Sequence, residues 1–195
     1  MLMVEPDQAL VETRLQAGEL KCVDCGGELR PHGFARWRTL RDHGRPVRLR
    51  PRRSQCRVCQ ITHVLMPTLA LLRRMDVAAV IGEALIAIHS SDRTRKEVAA
   101  TAGAPVDTVR GWRRRFGKRA EQIREFFTTL AHRWDPELDA IEARATVALD
   151  ALEAIGVAAA AAVRQFGAQP QWQLVAGATG GRLLCNTSCP LPAMS

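Results

Sequence analysis

The stretch that decides the fold is Cys22-Val-Asp-Cys25-Gly-Gly, followed after a long loop by Cys56-Arg-Val-Cys59. Two Cys-x-x-Cys pairs arranged in this way have the spacing of a structural zinc site, because each pair occupies a tight turn and two turns supply four sulfurs. A redox-active pair would normally open a helix, and neither pair does so. Two unrelated pairs remain the alternative. We predict that one structural Zn²⁺ is bound by Cys22, Cys25, Cys56 and Cys59.

The loop between the cysteine pairs shows the two-residue alternation of β-strands at residues 36–38 and 47–50, with a turn at residues 41–46. This pattern predicts a β-hairpin carried on two metal-binding knuckles. Such a zinc ribbon would span residues 21–67.

One face of the predicted hairpin is expected to be basic. Alternation places Trp37, Val47 and Leu49 on the face opposite to the arginines. The arginines are Arg36, Arg38, Arg48 and Arg50, and the row continues with Arg52 and Arg53. Because neighbouring arginines repel one another unless a polyanion neutralises them, we expect them to contact phosphate groups. The alternative is that they are only solvated.

Positive charge is concentrated in two segments of this chain, which has a formal net charge of +8. Residues 21–74 hold 13 basic and 3 acidic side chains, and residues 93–119 hold 9 basic and 2 acidic ones. This asymmetry is typical of nucleic-acid-binding proteins, although solvated basic faces would produce it as well.

Most of the second basic segment lies within residues 75–117, which have the pattern of a helix-turn-helix preceded by a helix with Asp76 as its N-cap. Gly103 would form the turn between the two short helices. The side chains expected to be buried between them are Val98, Ala99, Val109, Trp112 and Phe116.

The second helix of this motif would expose its other side to DNA. The candidate contacts are Asp107, Thr108, Arg110, Gly111, Arg113, Arg114 and Arg115. Arg110 and Arg114 are the best candidates for base contacts, because arginine can donate two hydrogen bonds to guanine in the major groove. Asp107 could accept a hydrogen bond from cytosine or orient Arg110. A helical hairpin with solvated arginines is the alternative.

The remaining segments are predicted to be mainly helical. A short helix is expected within residues 1–20, and residues 118–166 should form helices at about 117–134 and 136–166. Apolar residues between 127 and 166 recur in steps of three and four, which is a heptad seam. The seam favours either a coiled-coil homodimer through residues 127–166 or packing on the helix-turn-helix core.

The last segment, residues 167–195, is rich in Gly, Pro, Ser, Thr and Gln. This composition predicts a flexible tail with a possible strand around residues 172–175. Cys185 and Cys189 could form a second metal-binding or redox pair, but we expect idle thiols.

Residues 19–134 resemble a family of small bacterial proteins of unknown function that join a zinc ribbon to a helix-turn-helix. This family is similar to the DNA-binding front ends of insertion-element transposases. The matching stretches are Cys22-x-x-Cys25-Gly-Gly, Arg50-Pro-Arg-Arg53, Cys56-Arg-x-Cys59 and Thr108-Val-Arg-Gly-Trp112. The resemblance implies zinc at the four cysteines and a DNA groove for the second helix of the motif. Gln60 and Pro105 depart from the family pattern, at a knuckle glycine and at a Ser or Thr cap respectively.

These observations together predict a mainly α protein with a small β element. It would consist of an N-terminal zinc ribbon, a helix-turn-helix and long C-terminal helices. The expected function is sequence-specific or general binding of double-stranded DNA, in the manner of a transcription regulator or a transposase-derived protein. An accessory or truncated transposase that works with a catalytic partner and a zinc-ribbon adaptor for protein partners are the alternatives. We find no catalytic constellation and therefore expect no enzyme.

The expected location follows from the same composition. The sequence contains no apolar run of about 18 residues, so we expect no membrane span and a cytoplasmic, nucleoid-associated protein.

Overall fold

The computed structural model describes residues 1–185 and 191–192 of the chain. The strands are β1 (Leu2–Val4), β2 (Leu29–Phe34), β3 (Arg38–Asp42), β4 (Arg45–Leu49), β5 (Arg52–Cys56) and β6 (Thr62–Pro67). The helices are α1 (Gln8–Gln16), α2 (Ala78–Ser90), α3 (Arg95–Ala102), α4 (Val106–Trp134), α5 (Val147–Phe166) and α6 (Gln171–Ala178). The prediction of a mainly helical chain with a small β component is confirmed.

A four-stranded sheet in the order β1-β6-β5-β2 carries the cysteine pairs. The pairs β2–β5 and β5–β6 are antiparallel, whereas β1 lies parallel to β6. Helix α1 covers this sheet by burying Val11 and Leu15 against Leu29 and Leu65. The sequence predicted only a helix in residues 1–20, because a three-residue strand is too short to show a period.

The predicted hairpin is present as β3 and β4, but it forms a separate two-stranded sheet. The cysteine knuckles carry strands of their own, so the hairpin is an insertion between β2 and β5. Its turn is only His43-Gly44, where both residues have positive φ, as two-residue hairpins require. This turn sets a register in which Arg38 lies opposite Leu49. The prediction that Arg38 and Leu49 lie on opposite faces was therefore wrong. The placement of Trp37 on the face opposite Arg48 and Arg50 was also wrong, because both guanidinium groups lie over the Trp37 ring.

The hairpin is attached to the helical part of the protein at two points. At its tip, the Nδ1 atom of His43 lies 3.0 Å from the Thr101 carbonyl oxygen, and Gly44 packs against Gly103. On β3, Arg41 forms a two-point ion pair with Asp76, with both N–O distances at 2.8 Å. The prediction that Asp76 is the N-cap of α2 was therefore wrong. Val77 occupies that position, and no side chain caps the helix there.

Helices α2, α3 and α4 share one core. The five side chains predicted to be buried are buried, namely Val98, Ala99, Val109, Trp112 and Phe116. Gly103 ends α3 in the left-handed conformation, as predicted for the turn. Helix α4 then runs for 29 residues, so the predicted second helix of the motif and the predicted helix at 117–134 are one continuous helix.

Helix α5 begins at Val147 rather than at residue 136, because Thr146 caps it by accepting a hydrogen bond from the Leu149 N–H. Residues 140–143 instead lie beside Arg124, Thr128 and His132 of α4. Trp134 packs edge-on against Phe166, so the C-terminal ends of α4 and α5 lie together. Much of the heptad seam is buried by this packing within one chain. The homodimer stays a prediction.

The predictions for residues 167–195 need correction where the structure describes them. Residues around 172–175 lie in helix α6 and not in a strand. The Trp172 indole covers Gly82 of α2 so closely that a Cβ there would lie 1.9 Å from the ring. Leu183 and Leu184 are also buried, so this part of the predicted flexible tail belongs to the core. Cys189 lies outside the described residues.

Across residues 1–185 and 191–192, no helix combines the length and apolar character needed to cross a bilayer.

The contact between Gly44 and Gly103 predicts a large effect of one added methyl group. Gly103 has a φ of +60°, and a Cβ there would lie 2.3 Å from the Gly44 backbone nitrogen. We expect Gly103→Ala to lower the free energy of unfolding by at least about 2 kcal/mol in urea denaturation. Gly117→Ala is the control, because no heavy atom lies within 4 Å of its added Cβ; it should raise stability by about 0.5–1 kcal/mol. Equal effects would contradict the close contact.

Candidate metal centre and nucleic-acid interface

Two similar turns position the four thiols. In the first knuckle, the Gly26 N–H donates to the Cys22 carbonyl oxygen at 2.9 Å, and Gly26 has positive φ. In the second, the Val58 N–H donates to the Cys56 sulfur at 3.3 Å. Gln60 takes the left-handed conformation that glycine takes in the first knuckle. Its side-chain amide donates to the Arg57 carbonyl at 2.8 Å, which stabilises the turn despite the unusual residue.

The thiols have the spacing that a tetrahedral metal site requires. The Sγ atoms of Cys22 and Cys59 lie 3.7 Å apart, and those of Cys25 and Cys56 lie 3.4 Å apart. All four sulfurs lie within 4.8 Å of one another. A tetrahedral ion with Zn–S bonds of about 2.3 Å separates its sulfurs by about 3.8 Å. The four cysteines therefore form a possible metal site.

The thiols cannot all ionise easily without a cation. Burial disfavours the Cys56 thiolate, but hydrogen bonds from the backbone N–H groups of Cys59 and Val58 and from thiols outweigh it and lower the Cys56 pKa to about 6. The Ile61 N–H favours the Cys59 thiolate, yet burial and neighbouring thiols raise the Cys59 pKa to about 12. Adjacent thiolates repel one another, and a bound dication would relieve that repulsion.

His63 lies beside the thiol cluster. It is buried, and its Nε2 atom lies 3.2 Å from the Cys22 sulfur and 3.6 Å from a carboxylate oxygen of Asp24. Cys22, Asp24 and His63 thus form a second group with ligand-like spacing that shares one thiol with the first. His63 can therefore support the thiol cluster by a contact with the Cys22 sulfur.

Some of the hairpin arginines are exposed, and others are partly buried or held in an ion pair. The exposed ones are Arg36, Arg38, Arg48 and Arg50. Arg53 is partly buried. Arg52 instead forms a two-point ion pair with Glu12, at 2.7 and 3.1 Å, and donates to the Gly33 carbonyl oxygen. The expectation that Arg52 contacts phosphate therefore conflicts with its place in this ion pair.

The candidate DNA contacts of α4 lie together on the first turns of that helix. The exposed ones are Asp107, Arg110, Arg113 and Arg114, and the partly buried ones are Thr108, Gly111 and Arg115. A nitrogen of Arg110 lies 3.1 Å from the Asp107 carboxylate, so the acid does hold this arginine. Arg115 lies back over Gly111, where a Cβ would come within 2.8 Å of its guanidinium.

Two features near these surfaces escaped the sequence analysis. Arg119 is buried on the same stripe as Phe116, and it donates to the Arg182 carbonyl oxygen at 2.8 Å. Arg119 follows Phe116 by three residues, and this spacing could have indicated that it lies on the buried face of α4. Phe34 was not singled out, although it is exposed and lies under Arg50 and Arg52.

No protein-family model, curated protein or solved structure matches this chain.

The Arg52–Glu12 ion pair predicts a pH-dependent contribution to stability. A hydrogen bond from Arg52 is the largest cause that holds the Glu12 pKa below its ordinary value of 4.5. We expect Arg52→Met to lower the free energy of unfolding by about 1 kcal/mol at neutral pH. Because the carboxylate pKa is depressed in the folded state, the wild-type advantage should be lost as the pH falls through that pKa.

Urea denaturation at neutral pH and at about pH 3 measures this difference. Arg48→Met is the matched control, because Arg48 is exposed and has no ion pair within the described residues. It should change stability by less than about 0.5 kcal/mol at either pH. A pH-independent loss in Arg52→Met would contradict the assignment.

Proposed function

We propose that this chain is a DNA-binding protein in which the first turns of α4 enter a groove of the duplex. The observation that carries the proposal is the arginine face of α4, with Arg110, Arg113 and Arg114 exposed while Trp112 and Phe116 are buried on the other side. A buried stripe fixes the helix to the body of the protein, and the arginines are left facing outward.

The arginines of α4 suit two kinds of contact. Arg110 and Arg114 are one helical turn apart and project from the same face, so both can reach base edges in the major groove. Asp107 orients the Arg110 guanidinium by an ion pair. Arg113 flanks this face and is placed to contact phosphate. The exposed hairpin arginines supply further phosphate contacts.

The metal in this proposal is zinc. Four cysteine thiolates suit Zn²⁺, and they leave no open position for a catalytic water. When bound, the ion would stabilise the fold by neutralising the thiolates and tying the knuckle before β2 to the knuckle after β5. The chain's own residues then do the work of DNA binding.

Metal analysis tests the zinc site. Purified chain should contain one zinc ion, and the Cys25→Ser/Cys56→Ser double variant should contain none, because one thiolate from each knuckle is removed. Inductively coupled plasma mass spectrometry measures the stoichiometry. Cys185→Ser is the control and should retain the full complement, since Cys185 lies outside the cluster. Zinc retained by the double variant would refute the ligand set.

Fluorescence anisotropy of a labelled random duplex across a salt series tests DNA binding. Affinity should fall steeply as salt rises, because binding releases the counterions of the phosphates that arginine neutralises. The Arg110→Ala/Arg114→Ala variant should bind about tenfold or more weakly at one salt concentration.

The matched control for this test is Arg133→Ala/Arg164→Ala. It removes the same charge from exposed positions at the C-terminal ends of α4 and α5. This control should change affinity by no more than about twofold, because salt screens the attraction between DNA and arginines that are far from it. Equal losses in both double variants, or no duplex binding by the zinc-loaded chain at low salt, would overturn the proposed function.

A further inference from the structure

The hairpin carries a surface whose exposed aromatic rings the helix-based proposal does not use. We call it the stacking patch, and it consists of Phe34, Trp37, Arg48 and Arg50. The Trp37 side chain is 57% exposed and Phe34 is 40% exposed, so two aromatic rings face solvent beside the arginines. Large aromatic side chains are seldom left in water together unless they contact a partner.

The arginines of the stacking patch lie over the aromatic rings. The Arg48 guanidinium carbon is 4.9 Å from the centre of the Trp37 ring. Arg50 lies 5.0 Å from the Phe34 ring and 5.8 Å from the Trp37 ring. The patch therefore presents flat aromatic and guanidinium groups next to one another, and both kinds of group stack on nucleobases.

The positive charge of the patch is not neutralised by the protein. Within the described residues, Arg48 and Arg50 have no ion pair, whereas the nearby acids Glu5 and Glu12 are paired with Arg14 and Arg52. A polyanion is the partner that this charge complements. A polyanion that also has flat rings accounts for the exposed aromatics as well.

A cleft opens beside the patch, with a volume of about 480 Å³, and is lined by Phe34, Trp37, Arg48 and Arg50. Val4, Pro6 and Val11 of the N-terminal segment also line it. This volume lies in the range of roughly 300–1,000 Å³ that is usual for small-molecule pockets. One or more extruded bases therefore have room to stack against the rings.

We infer that the stacking patch binds single-stranded DNA next to the duplex that α4 contacts. Base faces are hidden within a duplex, so only unpaired nucleotides can stack on Trp37 and Phe34. The hairpin tip lies at the α3–α4 turn, and strands of this length place the patch roughly 20 Å from that turn. One chain can then hold a duplex and an adjoining unpaired strand together. This inference rests on the proposed function for its duplex arm only.

Anisotropy with three DNA probes tests the inference on the zinc-loaded full chain. The probes are a blunt duplex, the same duplex with a single-stranded thymidine extension, and a thymidine oligonucleotide alone. The wild-type chain should bind the extended duplex about tenfold more tightly than the blunt one, because stacking adds to affinity. Trp37→Ala should lose this gain and bind the blunt duplex with unchanged affinity. Trp37→Phe, which keeps an aromatic ring, should retain most of the gain.

Phe166→Ala is the matched control, because Phe166 is 60% exposed but lies at the end of α5. It should leave binding to all three probes unchanged, and circular dichroism confirms that each variant is folded. The inference is overturned if the extension adds no affinity, or if Trp37→Ala weakens blunt and extended duplexes equally. Tighter Trp37-dependent binding to a uridine RNA extension would overturn the assignment to DNA.

The two proposals fail separately in this experiment. Trp37-dependent binding of the thymidine oligonucleotide without duplex binding would overturn the function of α4 and support the patch. Duplex binding that depends on Arg110 and Arg114 but gains nothing from the extension would support the function of α4 and overturn the inference about the patch.

Discussion

The arrangement of this protein depends on the ion pair between Arg41 and Asp76. Asp76 is 1% exposed, and an unpaired carboxylate at that depth would cost several kcal/mol. Arg41 satisfies both of its oxygens from β3, while the Arg41 N–H donates to the Met75 carbonyl and the Val77 N–H donates to the Arg41 carbonyl. The hairpin is therefore fixed to the start of α2, and its tip is held on the turn at Gly103. Neither element can move far without exposing a buried charge.

The possible metal site lies at the other end of the sheet from the inserted hairpin. Strands β2 and β5 pair from Leu29 opposite Cys56 at the knuckles to Phe34 opposite Arg52, where the hairpin is inserted. Five residues of strand separate the two ends by about 17 Å. A metal bound by the four cysteines would therefore hold together the ends of the strands that lead into the stacking patch. The thiols lie at one end of the sheet, and the stacking patch lies at the other.

The features that could be predicted from sequence are those set by local spacing. Each Cys-x-x-Cys pair, the turn at Gly103 and the buried stripe through Trp112 follow from patterns that span only a few residues. The features that the sequence did not reveal involve partners that are distant in the chain. Asp76 is a residue type that often caps helices, and only its ion pair with Arg41 of the hairpin shows that it has a different role. Arg52 has the same sequence context as its exposed neighbours, and Glu12 on α1 is what distinguishes it.

Helices α5 and α6 show a second limit of prediction from sequence, which is that an apolar helix face does not reveal which element packs against it. A heptad seam indicates that a helix packs lengthwise against another helix. The repeat is the same whether that partner helix belongs to the same chain or to a second one. Here α5 packs on α4 within one chain. Helix α6 is eight residues long, and its sequence alone gives little helical signal. Four of its residues are buried, namely Trp172, Leu174, Val175 and Ala176. Trp172 lies on Gly82, and only a residue without a side chain leaves room for that indole.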